Sequence, residues 1–225
     1  MKERPILFSG PMVRALLDGR KTQTRRIVKL PHNNPLGQWE PIPIGGENGG
    51  RTAAGETIPL QGGIWHTRTG DSLMCPHGQP GDRLWVRETW RGVVEINPPG
   101  KMTELGVARY VPDQQYCRRV EYLATHGRDD EPWRPNIHMP RWASRITLEV
   151  TGVRVESLED ISEADARAEG VTIEERHMNG YCAGETRPPS IRAFRELWES
   201  INGAGAWTAN PWVWVVQFKR VTREA

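Results

Sequence analysis

Three segments with alternating apolar residues restrict the fold of this chain more than any other feature of its sequence. They cover residues 83–90, 144–155 and 211–219, and in each an apolar side chain recurs at every second position. This is the period of a β-strand that buries one face. An apolar segment at 5–8 and a strand-like segment at 24–28 add two predicted strands. The connections differ widely in length and need not be helical crossovers, which favours a mixed or antiparallel sheet, including a small barrel.

Three helices are predicted beside these strands. The first covers residues 10–18, and the second covers 158–169 with a capping box made by Ser162 and Asp165. The third begins at Ser190 as its capping residue. Its buried stripe consists of Ile191, Phe194, Leu197, Trp198 and Ile201. Together with the strands, these helices indicate the α+β class.

Two long segments rich in Gly, Pro and charged residues interrupt this pattern. They cover about 31–80 and 91–143, and their hydrophobic periodicity is weak. A short hairpin near 64–67 and short strands at 106–110 and 118–124 are the elements that their residues indicate. Long loops within a compact domain are usually functional or disordered. The sequence therefore predicts one domain over all 225 residues, with two loop insertions of which the first is partly mobile.

The charge balance and the cysteine content argue against several classes of protein. Thirty basic and 28 acidic residues give a formal net charge of +2. This argues against non-specific coating of duplex DNA, although a local basic pocket is compatible with it. Three cysteines suggest no disulfide framework. Neither a signal peptide nor an apolar run of membrane-spanning length is recognisable, so we expect a cytoplasmic protein without membrane contacts.

A basic run at residues 19–26 is the strongest functional feature. It holds four basic side chains and two hydroxyls in eight residues. We expect it at the surface, because burying unpaired charge is costly. A solvated loop is one interpretation, and cations are also favoured at a helix C-terminus. The helix predicted to end at Gly19 and the strand predicted from Thr24 would instead hold these side chains on ordered backbone.

Sequence motifs for nucleotide hydrolysis and for metal binding are absent. The chain contains no GxxxxGK[ST], GxGxxG, HExxH or CxxC pattern, so neither a P-loop nor a zincin site is expected. Cys75 and His77 are a close pair of soft ligands, whereas structural zinc sites usually bring two such pairs. We therefore predict neither a metal nor another cofactor.

Glu88 is the unusual residue of the segment 83–90, because it shares the apolar face of the predicted strand. Two interpretations are open. Its carboxylate either reaches solvent or an Arg at the strand end, or it lines a ligand cavity. Trp85 and Arg87 lie on the opposite face of the same strand.

The basic run resembles the signature of the ASCH-domain family. Residues 81–86 resemble the family's Gly-Asp turn and following strand, residues 161–170 its helix, and residues 212–218 its closing strand. These pieces follow one another along the chain in the expected order. The opening segment and residues 81–90 are most similar to phage and prophage proteins of this superfamily. The resemblance implies a PUA-like β-barrel flanked by short helices, in the cytoplasm of a bacterial host cell, and implies nothing about the insertions.

The resemblance also implies a chemistry. Some bacterial ASCH proteins are amidohydrolases that deacetylate N(4)-acetylcytidine with a Lys, a Thr and a Glu, which fall here on Lys21, Thr24 and Glu169. Amide hydrolysis needs a nucleophile, a proton acceptor and stabilisation of the oxyanion. A Lys serves if burial or neighbouring cations lower its pKa, and a Glu can transfer protons. Lys21 and Thr24 would face opposite sides of a regular strand, so their joint action requires a turn within the run.

Two functions of different classes follow from these residues. In an amidohydrolase, Arg26 would stabilise the anion and Trp85 or Trp90 would stack on the base. In a non-catalytic module that binds RNA or single-stranded nucleic acid, basic side chains would bind phosphates and an aromatic ring would stack on a base. The phosphate-binding candidates are Arg20, Lys21, Arg25, Arg26 and Arg87. Other family members are ribonucleases, but no pair of His residues is placed for such cleavage.

Overall fold

The computed structural model describes residues 1–47, 50–51, 54–94, 106–108, 110–178 and 187–221. The strands in these ranges are β1 (Glu3–Leu7), β2 (Gln23–Ile27), β3 (Trp39–Ile44), β4 (Gln61–His66), β5 (Ser72–Met74), β6 (Arg83–Arg87), β7 (Trp90–Val94), β8 (Gly106–Val107), β9 (Cys117–Tyr122), β10 (Thr147–Ser157) and β11 (Trp212–Val221). The α-helices are α1 (Gly10–Leu17), α2 (Leu123–His126), α3 (Glu163–Ala168), α4 (Glu175–Met178) and α5 (Pro189–Asn202). The expected α+β class is confirmed. None of the helices in these ranges has the length and apolar character needed to span a bilayer.

A five-stranded sheet with the order β1-β6-β10-β11-β2 forms the centre of the fold. β1 pairs with β6 in parallel and all other neighbours are antiparallel, so a mixed sheet is confirmed. The edge strands approach each other, since Arg26 Nη2 donates a 2.8 Å hydrogen bond to the carbonyl oxygen of Leu7. In the described part of the chain this side-chain contact replaces a backbone ladder between β1 and β2. The expected closed barrel is therefore not found there.

The closing strand β11 separates two hydrophobic cores. Trp214, Val216 and Phe218 point to the larger core, which also contains residues of α1, β1, β6 and β10. Val213 and Val215 point to a second core with α3 and α5. Because successive side chains of a strand point to opposite faces, burial on both sides explains why the first half of β11, Trp212 to Val216, is continuously apolar.

The first insertion forms a three-stranded sheet with the order β3-β4-β5. The expected hairpin near 64–67 corresponds to the end of β4 and the turn toward β5, whereas β3 was not predicted. This sheet packs directly on the central sheet at Gly62. A Cβ atom there would lie 2.6 Å from the Cα atom of Arg154 in β10, so only Gly permits this approach.

The second insertion contributes the sheet β8-β7-β9. Arg91 holds it together by donating hydrogen bonds to Glu121 at 2.6 Å and to both carboxylate oxygens of Asp129 at 2.7 Å. The strand expected at 118–124 is observed as β9. A strand was expected at 106–110, and the structure shows its first part as β8. Residue 109 lies outside the described residues.

Three predicted boundaries differ from the structure. The strand predicted at 83–90 is interrupted after Arg87, because the chain leaves the central sheet there and enters the second insertion. The helix predicted at 158–169 is a 3₁₀ turn followed by α3, whose cap Ser162 Oγ accepts a 3.1 Å hydrogen bond from the Asp165 amide. Ser190 is not the cap of α5, since this helix already begins at Pro189, a residue favoured in the first turn.

The segment 172–189, predicted as a loop, contains the short helix α4. His177 of this helix is 6% exposed and its Nε2 lies 2.7 Å from Glu196 Oε2 in α5. This contact fixes α4 on α5. Residues 179–186 lie outside the described residues.

Candidate functional site

The basic run at residues 19–26 connects α1 to β2 through an irregular stretch of backbone. Gly19 has a φ of +73°, a conformation that suits Gly at a helix end. Lys21 forms an isolated bridge with Glu169 before β2 begins. The predicted helix end is confirmed, as is a strand that begins inside the run. Because Lys21 precedes the strand, the alternation that would separate it from Thr24 does not apply.

The run is not a surface segment, contrary to the expectation. The side chains of Lys21 and Arg25 are 0% exposed, whereas Arg20 is 46% exposed. Burial of these cations is possible because each one meets a carboxylate. The carboxylates come from Glu156 and Glu169, which lie 131 and 144 residues from Arg25 along the chain. Nothing in the local sequence indicates such partners.

Glu169 receives two buried cations, one on each carboxylate oxygen. Lys21 Nζ donates to Oε2 at 2.8 Å and to the backbone carbonyl oxygen of the same residue at 2.9 Å. Arg25 Nη1 donates to Oε1 at 3.1 Å. The side chain of Glu169 is 2% exposed. Its position at the end of α3 therefore fixes the carboxylate between Lys21 and Arg25.

A second pair of carboxylates completes the charge network. Arg25 Nε donates to Glu156 at 3.0 Å, and its guanidinium lies 3.5 Å from Asp165. Arg154 bonds the same two carboxylates at 2.9 and 3.0 Å. Three cations, counting Lys21, thus face three carboxylates. The network is electrically balanced, so its cations are not free to bind phosphate.

The protonation of Lys21 is perturbed by its surroundings. Burial lowers the pKa of its ammonium group, the ion pair and hydrogen bond with Glu169 raise it, and Arg26 and Arg25 add to the lowering. The net pKa lies below the ordinary Lys value. A lowered pKa makes the neutral amine more accessible, which is the state that a Lys needs for proton transfer or nucleophilic attack.

A cavity of about 290 Å³ opens next to this network. Its polar lining comes mainly from β2, the end of α3 and the first insertion, and its apolar lining mainly from α1 and α5. The polar lining residues are Thr24, Arg25, Arg26, Lys29, His77, Glu169 and Asn202, and the apolar ones are Met12, Ile27, Phe194, Leu197, Trp198 and Ile201. A concave apolar wall opposite convergent polar groups is typical of small-molecule sites.

Arg26 and His77 occupy the polar wall together. Arg26 lies over the Phe8 ring, with 5.7 Å between its Cζ atom and the ring centroid. Burial lowers the pKa of His77 to about 4, and the charges of Arg26 and Arg4 add to the lowering. His77 is therefore uncharged at neutral pH, while Arg26 supplies positive charge at the cavity.

Several predicted site residues lie away from the cavity. Trp90 is 0% exposed and packs against Met139 and Trp142 in a separate cluster. Glu88 is 1% exposed and forms a bidentate ion pair with Arg145, with both distances 2.9 Å. The first interpretation of Glu88, a carboxylate that meets an Arg at the strand end, describes this arrangement. Neither residue lines the cavity.

The remaining predicted ligand-binding residues are at other surfaces. Trp85 lies on the outer face of β6, with Arg87 and Arg141 at 5.5 and 5.9 Å from its ring centroid. Arg20 is at the end of α1, where it bonds Asp18 and the carbonyl oxygen of Gly170, both at 3.1 Å. The structure thus brings Lys21, Thr24, Arg25, Arg26 and Glu169 together, and leaves these others apart.

Sequence reasoning missed half of the cavity wall. The apolar stripe of α5 was interpreted as core, and Phe194 and Trp198 are indeed buried, but the same face also lines the cavity. Ile201 lies at the end of this stripe and is 50% exposed, which indicates that the stripe extends beyond the core. His77 was considered as a zinc ligand only. Within the described ranges no group of three or more His, Cys, Asp or Glu side chains is arranged to hold a metal ion.

Comparisons with protein-family models, with curated proteins and with solved structures find no match for this chain. The functional argument therefore depends on the residues and on the geometry of the cavity.

Proposed function

We propose that this chain is an ASCH-like amidohydrolase that removes an acyl group from a modified cytidine, with N(4)-acetylcytidine as the model substrate. The observation that carries the proposal is the buried Lys21–Glu169 ion pair beside a cavity lined by Thr24. The ASCH resemblance assigns its catalytic roles to the same three residues. Thr24 and Glu169 share one cavity although they are distant in sequence, and Lys21 is bonded directly to Glu169, which supports this assignment.

The proposal extends to the fold. The central sheet is taken as a PUA-like barrel whose first and last edges are joined by a side chain instead of a backbone ladder. The mixed strand order and the bond from Arg26 to Leu7 support this interpretation. The insertions then form additional sheets on the outside of this barrel.

The proposed reaction is hydrolysis of the acyl C–N bond. A water molecule attacks the acyl carbon, and Glu169 accepts its proton. Arg26 stabilises the oxyanion, and Thr24 donates a hydrogen bond to the substrate. The proton then passes to the exocyclic nitrogen as the C–N bond breaks, which releases acetate and cytidine. Lys21 is bonded to Glu169 and does not line the cavity, which favours a role in holding the Glu169 carboxylate in place over a role as nucleophile.

The charge network favours a small ligand over a nucleic-acid backbone. Phosphate binding requires exposed cations, but Lys21 and Arg25 are fully buried and already paired. The cavity volume of about 290 Å³ is near the lower end of the range for small-molecule sites. Phe194 and Trp198 on the apolar wall replace Trp85 and Trp90 as the groups that contact the base.

The test uses chromatography to measure the release of cytidine from N(4)-acetylcytidine. We expect release by the parent protein and a loss of at least 100-fold in kcat for Thr24→Val and Glu169→Gln, since single catalytic hydrogen-bonding groups contribute on the order of 100- to 1,000-fold. Arg167→Gln is the matched control, because Arg167 is 63% exposed and pairs with Glu163 on the surface of α3. Undiminished release by Glu169→Gln would reject the mechanism, and no release by the parent would reject the activity.

A non-catalytic nucleic-acid-binding module is the second candidate. The observation in its favour is the outer face of β6, where the guanidinium groups of Arg87 and Arg141 lie 5.5 and 5.9 Å from the ring centroid of Trp85. Such a pair of cations around an aromatic ring suits a stacked base with flanking phosphates. This candidate predicts that single-stranded RNA binds with an affinity that falls steeply with salt, and that Trp85→Ala weakens it. Binding that is unchanged in Trp85→Ala would exclude this surface.

A further inference from the structure

The first insertion contributes one polar side chain to the cavity, the imidazole of His77. This side chain follows Cys75, which is 8% exposed. Cys75 belongs to the larger hydrophobic core. This buried side chain anchors the segment that carries His77 next to the cavity. The insertion therefore completes a site whose other polar groups belong to the central fold.

Hydrogen-bond acceptors are scarce at this cavity. Each carboxylate oxygen of Glu169 accepts one hydrogen bond, from Lys21 or from Arg25, and in the proposed mechanism its remaining lone pairs serve the attacking water and not the base. The guanidinium groups that line the cavity, and the ammonium of Lys29, can only donate. The acceptors that remain are the Thr24 hydroxyl, the Asn202 amide oxygen and a ring nitrogen of His77. In the described part of the chain the His77 ring has no hydrogen-bond partner, so it is available to a ligand.

We infer that His77 is a specificity residue, whose imidazole accepts a hydrogen bond from the exocyclic N–H of an uncharged aminopyrimidine. This inference rests on the proposed function, because it takes the ligand to be such a base. Arg26 donates at the same wall, so a ligand that carries an N–H beside a C=O satisfies both residues. A base without the N–H leaves the imidazole unpaired, which lowers affinity strongly in a desolvated site.

The charges around His77 keep the imidazole in the form that can accept. Arg26 from β2 and Arg4 from β1 face it, and together with burial they lower its pKa to about 4. The nearest anionic group of the cavity wall, Glu169, is neutralised by its own two cations. Recognition of the N–H should therefore be unchanged between pH 5 and pH 8, a range in which an ordinary His changes its charge.

The test compares two non-hydrolysable probes, N(4)-methylcytidine, which keeps one exocyclic N–H, and N(4),N(4)-dimethylcytidine, which has none. Binding is followed by the NMR shift of the Met12 methyl group, which lines the cavity. We expect the parent to bind the first probe at least tenfold more tightly, His77→Leu to bind both alike, and His77→Gln to retain a preference. A purely steric effect of the second methyl group would persist in His77→Leu, so an undiminished preference there would overturn the inference.

Turnover of N(4)-acetylcytidine separates this inference from the proposed function. Discrimination between the probes without turnover would reject the amidohydrolase and keep His77 as a recognition residue. Turnover with an unaltered KM in His77→Leu would reject His77 alone, because a recognition residue is expected to raise KM at least tenfold with little change in kcat. Failure of the parent to bind either probe would reject the role of His77 as stated.

Discussion

The Lys21–Glu169 pair shows how a basic run can be buried without a net charge. Each ion loses its hydration on burial, and only the partner ion and further hydrogen bonds offset that loss. Here Arg25 provides the second bond to Glu169, at 3.1 Å. Removal of Glu169 therefore leaves the Lys21 ammonium without a carboxylate, and removal of Lys21 leaves Glu169 with Arg25 as its partner, whereas removal of both leaves neither ion of the pair.

The first prediction concerns this coupling. Glu169→Gln should lower the free energy of unfolding by about 3–5 kcal/mol, the usual cost of leaving one buried ion unpaired, and Lys21→Met should lower it by less, because Arg25 still pairs with Glu169. The double variant should lose clearly less than the sum of the two, because neither ion remains. Urea denaturation of the four proteins measures this. Strictly additive losses would mean that the two side chains do not interact in the folded protein.

The second prediction concerns the pH dependence of stability through His77. Its pKa in the folded protein is about 4, whereas that of an unfolded His is about 6.5. Between these values the unfolded chain binds a proton that the folded protein does not bind, so stability decreases as the pH falls through this window. His77→Leu lacks this contribution. Its free energy of unfolding should fall less between pH 7 and pH 4.5 than that of the parent, and equal decreases would contradict the low pKa.

At the scale of elements, the contact between β4 and β10 joins the first insertion to the central sheet. Gly62 lies against the backbone of Arg154, and rigid backbone cannot move aside as a flexible side chain can. The insertion is thus packed against the sheet instead of being tethered by its two ends. The placement of His77 at the cavity depends on this packing.

The third prediction is that Gly62→Ala destabilises the protein by about 1–3 kcal/mol, as overpacking of a tight contact does. Gly50→Ala is the control, because a Cβ atom at Gly50 would meet only the Ile58 side chain at 3.5 Å, an ordinary contact. Thermal unfolding of both variants measures the difference. Equal stability of the two variants would show that β4 does not lie on β10 at this distance.

For the whole molecule, the sequence predicted the elements that carry a regular period and missed what depends on long-range partners. The strand at 211–219 and the helix at 10–18 were located within a few residues, since alternation and helical spacing are local. The burial of Arg25 was not predictable, because Glu156 and Glu169 reach it only after folding. For the same reason the sequence predicted the polar site residues of β2 and of the end of α3. It did not predict the parts of the cavity that α5 and His77 form.

The fourth prediction concerns cooperativity. β11 contributes Trp214 to the larger core and Val213 and Val215 to the core of Trp198. Loss of β11 would remove side chains from both cores at once, so both should unfold in one transition. In protein labelled with 5-fluorotryptophan, the ¹⁹F resonances of Trp198 and Trp214 should lose intensity at the same urea concentration. Two separate midpoints would show that the cores are independent.

The pairing of β2 with β11 has a consequence for folding during synthesis. β2 is made early, but its backbone partner spans Val213 to Gln217. The carboxylates that neutralise Lys21 and Arg25 also belong to the later part of the chain. Until residues 212–221 have left the ribosome, β2 has no ladder and the central sheet lacks the strand between its two cores. The nascent chain therefore exposes its basic run and its apolar strands for most of its synthesis, which makes it a substrate for chaperones and a binder of polyanions before it folds.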